Sequence, residues 1–228
     1  VNLHYTYKIE VEKAYIIYLP DNEKSTNHAQ NCARSCEDVG MDCELWSGFD
    51  GTGDEIKPPP QIADKDWLKW IKCSNPTLDK SEISCFLSHL SLWAKCAELD
   101  KPIVILEHDA ILLQKITEHP GLNLIVYLGN HEQIENNFSW SPIPTMLQWQ
   151  GLRCLCRAHA YSIDPFIARR LLSSVLETGI NKSVDVYMRS DIFTQIQNGI
   201  YAYDKKHNES VIKRNKSPED IRICNKIL

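Results

Sequence analysis

Long apolar runs are missing from this 228-residue chain: the longest aliphatic stretches are short, such as Ile103-Val104-Ile105-Leu106, whereas a bilayer-spanning helix needs roughly 20 mainly apolar residues. No transmembrane segment is expected. An excess of positive charge is missing too. Lys and Arg total 25 against 30 Asp and Glu, a formal −5 with a sequence pI near 5.9. Neutralising a run of phosphates requires the opposite balance, which argues against nucleic-acid binding as the main activity. Glycine (9) and proline (11) are scarce, which excludes collagen-like and low-complexity character. The remaining mix, 43% hydrophobic with 24% charged residues, is that of a folded globule, and the length predicts a single domain over 1–228 with a sizeable core.

Cysteine is present, but not in patterns that carry chemistry. The nine thiols are an odd number, no CxxC occurs, and neither Cys32/Cys36 nor Cys154/Cys156 is matched by a second pair at zinc-site spacing. Buried, reduced thiols are expected, which favours a reducing compartment. The segment Val1 to Glu10 lacks the apolar stretch of a signal peptide and points the same way, to the cytoplasm. The sequons at Asn137, Asn181 and Asn208 are tripeptides that arise often by chance.

Along the chain, Ala14 to Leu19 reads as a buried strand closed by a turn at Pro20-Asp21-Asn22, and 23–39 as a helix stopped by Gly40. Residues 43–47 form a second strand running into the glycine-rich loop 48–53, so a βαβ unit opens an α/β domain. Asp64 to Lys72 reads as a short helix. A stronger one follows, capped by Asp79 with Glu82 three residues on and carrying Ile83, Phe86, Leu87, Leu90, Ala94 and Ala97 at helical spacing. Residues 103–106 and 124–128 are further strands, and 130–153 a long loop. Residues 154–163 alternate as a strand, after which Asp164 and Pro165 start a helix that Gly179 ends. Val184 to Ile192 reads as a shorter helix, Tyr201 to Tyr203 as a late strand, and the chain from about 205 as a polar tail.

The segment 103–112 carries the most chemistry. Glu107-His108-Asp109 follows an apolar strand at its carboxyl end, where open α/β sheets bind ligands. Two carboxylates two residues apart can share a hard divalent cation that bridges to phosphates. A strand-terminal acidic pair is more often a solvated turn or a helix cap than a metal site. Cys85 and His89, four apart on one helix, offer two ligands to a soft metal, but no other Cys/His pair supplies more at motif spacing. A packing or hydrogen-bonding role is therefore expected for His89. No nucleophile-elbow sequence surrounds Ser88, so a serine triad is not indicated.

The order of segments adds more than any one of them. Ser81-Glu82-Ile83-Ser84-Cys85-Phe86-Leu87-Ser88-His89, followed by Ile105-Leu106-Glu107-His108-Asp109, resembles glycosyltransferase family 25, whose pattern runs G-E-I-G-C-x-L-S-H and then an apolar strand with E-D-D. Tyr15 to Leu19 resembles the family's opening strand, Ser47-Gly48-Phe49-Asp50-Gly51 its A-x-D-G after the second strand, and Leu124 to Gly129 its I-x-x-L-G. Ala158-His159-Ala160-Tyr161-Ser162-Ile163 resembles T-H-A-Y-x-I, Ala168 to Leu172 resembles A-x-x-L-L, and Val184-Asp185-Val186 resembles V-D-x. The resemblance covers roughly 14–212. It departs from the pattern at His108, at Ser84 in place of Gly, and in basic residues after the first strand, which are reduced to Lys24.

The resemblance implies a Rossmann-like GT-A nucleotide-sugar fold, α/β with a mixed central sheet flanked by helices. It also implies inverting, metal-assisted transfer of a hexose, galactose or glucose, from a UDP-sugar to a hydroxyl of a glycan or hydroxylated protein. In that reading Asp109 and Glu107 hold a divalent ion, manganese above others, Asp50, Gly51, Ser88 and His89 border the donor, and Asp185 is the base, a helix N-terminal cap being the other role open to it. Phe138, Trp140 and Trp149 are candidates for the acceptor pocket and equally for the core. The alternatives are a catalytically silent nucleotide-sugar or glycan-binding module on the same fold, and a metal-dependent phosphate-ester hydrolase.

Overall fold

The computed structural model describes residues 8–130, 141–142, 148–149, 152–153, 158–189 and 194–204. Their strands, in chain order, are β1 (Ile9–Glu10), β2 (Ala14–Tyr18), β3 (Cys43–Ser47), β4 (Ile103–Glu107), β5 (Ala110–Leu112), β6 (Glu118–His119), β7 (Leu124–Asn130), β8 (Ser141–Pro142), β9 (Gln148–Trp149), β10 (Leu152–Arg153), β11 (Ala160–Ile163) and β12 (Thr194–Asp204). The helices are α1 (Glu23–Asp38), α2 (Lys80–Leu99), α3 (Pro165–Thr178) and α4 (Val184–Tyr187), with a 3-10 turn at Asp66–Trp70 where the short helix is expected.

The main sheet runs β3-β2-β4-β11-β7-β12-β5, with β8 also on β12. It is mixed. β2 is parallel to both β3 and β4, β11 is antiparallel to β4 and β7, β12 is parallel to β7, and β5 antiparallel to β12. The inner parallel strands read as unbroken apolar runs because both faces of the sheet are covered. Tyr15, Ile17, Ile103 and Ile105 join α2 and α3 in one hydrophobic cluster. Their neighbours Ala14, Ile16, Val104 and Leu106 join Ala29, Cys32 and Cys36 of α1 in the other.

From β2 the chain passes through α1 outward to β3, the terminal strand, and then through α2 back past β2 to β4. The direction of connection reverses at β2. At such a reversal the loops leave the carboxyl ends of adjacent strands in opposite directions and open a crevice. Register brings Ile17 beside both Trp46 and Glu107, so the ends of β2, β3 and β4 share one rim. At the outer margin, Leu45 of β3 is 41% exposed, and its neighbour Glu44 is bonded to Lys13 at 3.3 Å.

Helix starts follow their cap chemistry. Asp79 accepts from Glu82 N while the Glu82 side chain accepts from Asp79 N, a reciprocal capping box that fixes the start of α2. Asp164 accepts from Phe166 N and Ile167 N, and Pro165 fills the first helical position of α3. Some expectations are corrected. The strand expected at 154–163 is β11 from Ala160, because Ala158 and His159 form a turn and 154–157 lie outside the described residues. The expected helix to Ile192 ends at Tyr187 among the described residues, 190–193 lying outside them. Phe138, Trp140 and the polar tail from 205 also lie outside. Reduced thiols are found at Cys32, Cys36, Cys43, Cys85 and Cys96. Cys73 departs from that expectation and is disulfide-bonded.

Candidate functional site

The crevice at the reversal is a cavity of about 110 Å³. Ile17 to Leu19 from the end of β2 form one wall, Ser84, Cys85, Ser88 and His89 of α2 another, and Glu107, His108 and Asp109 after β4 a third, with Gly51 and Thr52 closing a side. A second hollow, about 230 Å³, adjoins it and is lined by Pro20, Asp50, Lys57 and Pro58 to Pro60, among others. The structure thus brings Glu107, Asp109, Ser88, His89 and Gly51 to one cleft. Asp50 lines the neighbouring hollow, and Asp185 lies outside the cleft's lining, near enough for its charge to act on the Cys85 thiol.

Serine spacing on α2 fixes the wall. Ser88 Oγ accepts the Phe49 N–H at 2.9 Å and donates to Ser84 O at 2.7 Å. Ser91 Oγ accepts from Trp46 Nε1 at 2.8 Å and donates to Ser88 O. Positions three and four apart on a helix share a face, so this ladder stitches the loop after β3 onto α2. Ser84 Oγ is different: it is buried with no hydrogen-bond partner. A Cβ on Gly51 would stand 2.3 Å from that oxygen and 2.7 Å from Lys80 O. The serine departure at 84 and the glycine at 51 therefore fit each other. Gly51→Ala is expected to cost about 1–3 kcal/mol by overpacking and to narrow the cleft, measured by urea unfolding; an unchanged midpoint would contradict the fit.

His89 is fully buried and both ring nitrogens are engaged. Nδ1 lies 2.8 Å from the Tyr161 hydroxyl and Nε2 3.2 Å from Glu107 Oε1. Trp93 Nε1 donates to the same hydroxyl at 3.0 Å. One arrangement satisfies every group with a neutral imidazole: Trp93 N–H to Tyr161 O, Tyr161 O–H to His89 Nδ1, and His89 Nε2–H to Glu107. Burial alone would push the Glu107 carboxyl up, but the His89 hydrogen bond and the His89, His159 and His108 rings outweigh it and hold it below the usual range. Asp109 behaves in the opposite way. Burial and the Glu107 charge push its carboxyl up, and its Oδ1 is buried without a hydrogen-bond partner.

His108 stacks on His28 of α1, ring centroids 5.7 Å apart and planes at 20°. Asp50 Oδ1 accepts from Thr52 N and Thr52 Oγ1 at 2.9 and 2.7 Å, tightening the turn beside Gly51. Asp185, in the first turn of α4, accepts from Val186 N at 2.9 Å. Sequence reasoning did not single out Tyr161, Trp93 or His28 for the site. Tyr161 had a signal, its alternation within a strand, but nothing local connects it to α2.

A family model, glycosyltransferase family 25 (LPS biosynthesis protein), matches residues 11–188. The chain belongs to glycosyltransferase family 25. Among similar proteins is lic2B of Haemophilus influenzae, a lipooligosaccharide biosynthesis protein, 28% identical over 100 residues. That match takes in 44% of this chain and 35% of the relative, so the chain spans about a third of that protein's length. The acidic end of β4 is Glu107-His108-Asp109. The residues present fit a divalent ion: Asp109 offers a buried oxygen with no protein partner, and the His89 bond engages only Oε1 of Glu107. Both are oxygen donors, which suits manganese or magnesium chemistry.

Proposed function

We propose that this family 25 glycosyltransferase is one domain of the Rossmann-like GT-A type over 1–228. It transfers a hexose, galactose or glucose, from a UDP-sugar to a hydroxyl of a glycan or hydroxylated protein, with inversion. The observation that carries the reading is the partnerless, buried Asp109 Oδ1 at the sheet's reversal point. A carboxylate there is costly unless something positive completes it. Asp109, with Glu107 directly or through water, would hold a divalent ion, manganese above others, which when bound neutralises charge on the departing diphosphate.

The chain's own residues do the rest. His89, locked by Tyr161, orients Glu107 and keeps it ionised. Ser84 Oγ has hydrogen-bonding capacity to spend on donor oxygens, and Gly51 lets the donor approach backbone closely. Ser88 positions the Phe49 to Gly51 loop, with its hydroxyl already used on both sides. Asp50 borders the nucleoside in the adjoining hollow. Asp185 accepts the acceptor's proton as it attacks the anomeric carbon, whose transition state is oxocarbenium-like. The lic2B likeness supports a glycan acceptor. No helix among the described residues is long and apolar enough to cross a membrane.

The test is calorimetry of UDP-galactose and UDP-glucose with and without manganese, paired with a turnover assay. Manganese-dependent binding and release of UDP are expected. Binding without any transfer or hydrolysis would assign the silent module instead, and phosphate release from simple esters without sugar transfer the hydrolase. Asp185→Asn is expected to lower turnover about 10²-fold or more; unchanged turnover would overturn its role as base.

A further inference from the structure

Cys85 and His89, one turn apart on α2, present two ligands of the kind a thiophilic ion prefers, and the fold brings a third to them from β4. Glu107 Oε1 lies 3.2 Å from His89 Nε2 and 4.0 Å from Cys85 Sγ, and one ligand atom from each of the three residues lies within 4.8 Å of the others. Atoms bonded to one tetrahedral zinc ion at about 2.0 to 2.3 Å stand roughly 3.3 to 3.6 Å apart, so side-chain adjustments of about an ångström close the set. His89 is fully buried, and the Tyr161 hydroxyl engages its far nitrogen at 2.8 Å, the outer contact that fixes a ligating imidazole. A thiolate and a carboxylate together balance a divalent charge, which matters in a half-buried place. The thiolate and imidazole select zinc or cobalt over magnesium and manganese. All three side chains line the cleft, from which a fourth ligand can come.

We propose that Cys85, His89 and Glu107 bind one zinc-class ion, and that this ion inhibits sugar transfer by withdrawing Glu107 from the oxygen-ligated ion of the donor site. Binding sends the Cys85 thiol proton to solvent and shifts the His89 proton from Nε2 to Nδ1, which then donates to the Tyr161 oxygen, so the ligating imidazole stays neutral. The inhibition rests on the donor-site reading above; the binding does not.

Cobalt(II) is the probe, because a tetrahedral, thiolate-ligated cobalt ion gives strong visible bands and a near-ultraviolet charge-transfer band. Titration of the intact protein without reductant is expected to develop these bands with one equivalent of cobalt and to lose them when zinc is added. Cys36→Ser, in the separate thiol group on α1, keeps the bands. Cys85→Ser loses them and binds zinc about 10-fold more weakly or worse, and Cys85→Ala repeats the measurement should the serine variant fail to fold. In the turnover assay, zinc inhibits the wild type, and Cys85→Ser, compared with its own zinc-free rate, needs about 10-fold more zinc or greater for the same loss. Bands that survive both Cys85 variants, or that vanish with Cys36→Ser, overturn the site. A wild type that carries the bands yet turns over undiminished in zinc overturns the inhibition. Turnover that needs no hard metal overturns the donor-site reading and the inhibition with it, while the cobalt bands alone decide the binding.

Discussion

Asp109→Ala lowers kcat/KM by roughly 10²–10³-fold, the size of effect seen when one group aimed at developing charge is removed. It also abolishes the manganese dependence of donor binding. The companion result concerns stability. Burial and the Glu107 charge push the Asp109 carboxyl up, so folding works against its ionised form, and stability from this group falls as pH rises through the ordinary carboxylate range toward the raised folded value. Asp109→Asn, measured without metal at neutral pH, is therefore expected to melt at the same temperature as the wild type or above it. A carboxylate kept for folding would show the reverse. Full activity of Asp109→Ala in chelator-treated buffer would overturn the assignment, as would a large loss of melting temperature in Asp109→Asn.

Asp164→Ala is the substitution with the largest expected cost to folding, about 3–5 kcal/mol, as for removing one partner from a buried charge-bearing network. The residue is fully buried. Its Oδ1 caps α3, and its Oδ2 accepts from Leu124 N at 2.8 Å and lies 3.5 Å from His119 Nε2. His119 Nδ1 is in turn 2.6 Å from Ser162 Oγ. One carboxylate thus joins the start of α3 to β6 and β7. Burial alone would raise its pKa, but His119 and the backbone N–H groups outweigh it and hold the carboxyl below the usual range. A depressed folded value means that the stabilisation is complete above the unfolded pKa and is lost as pH falls through the folded one. Urea unfolding across acid pH should show that loss in the wild type and a flatter dependence in Asp164→Asn, which keeps the cap. Equal acid sensitivity of the two would contradict the assignment.

What the sequence reveals and what it hides divide by distance along the chain. α2 and α3 announce themselves because a cap and the apolar face behind it are neighbours: Asp79 with Glu82, and Asp164 with Pro165. β2 and β4 are legible as unbroken apolar runs, and the carboxyl end of β4 marks the acidic rim. β5, three residues long, exists only because β12 pairs with it from the far end of the chain, and no local pattern encodes that. The same holds within the site. Glu107 and His89 are 18 residues apart, Tyr161 and His89 72 apart. Their union depends on the return crossing through α2 and on an antiparallel strand arriving beside β4. The Cys85–His89 pair was visible as two ligands, but its third comes from another element.

Among the described residues β3 is the terminal strand, and it bears on the behaviour of the protein in concentrated solution. An open sheet margin offers unpaired backbone groups to any second chain with a compatible strand. Here that margin is only five residues long, the exposed Leu45 sits beside the Lys13-paired Glu44, and the Gln61 side chain donates to Ser47 O at 2.8 Å, closing its far end. Neutralising Glu44 would leave an apolar border beside Leu45, and the first symptom would be clumping through edge-to-edge pairing, while the cleft on the other side of β2 kept its shape.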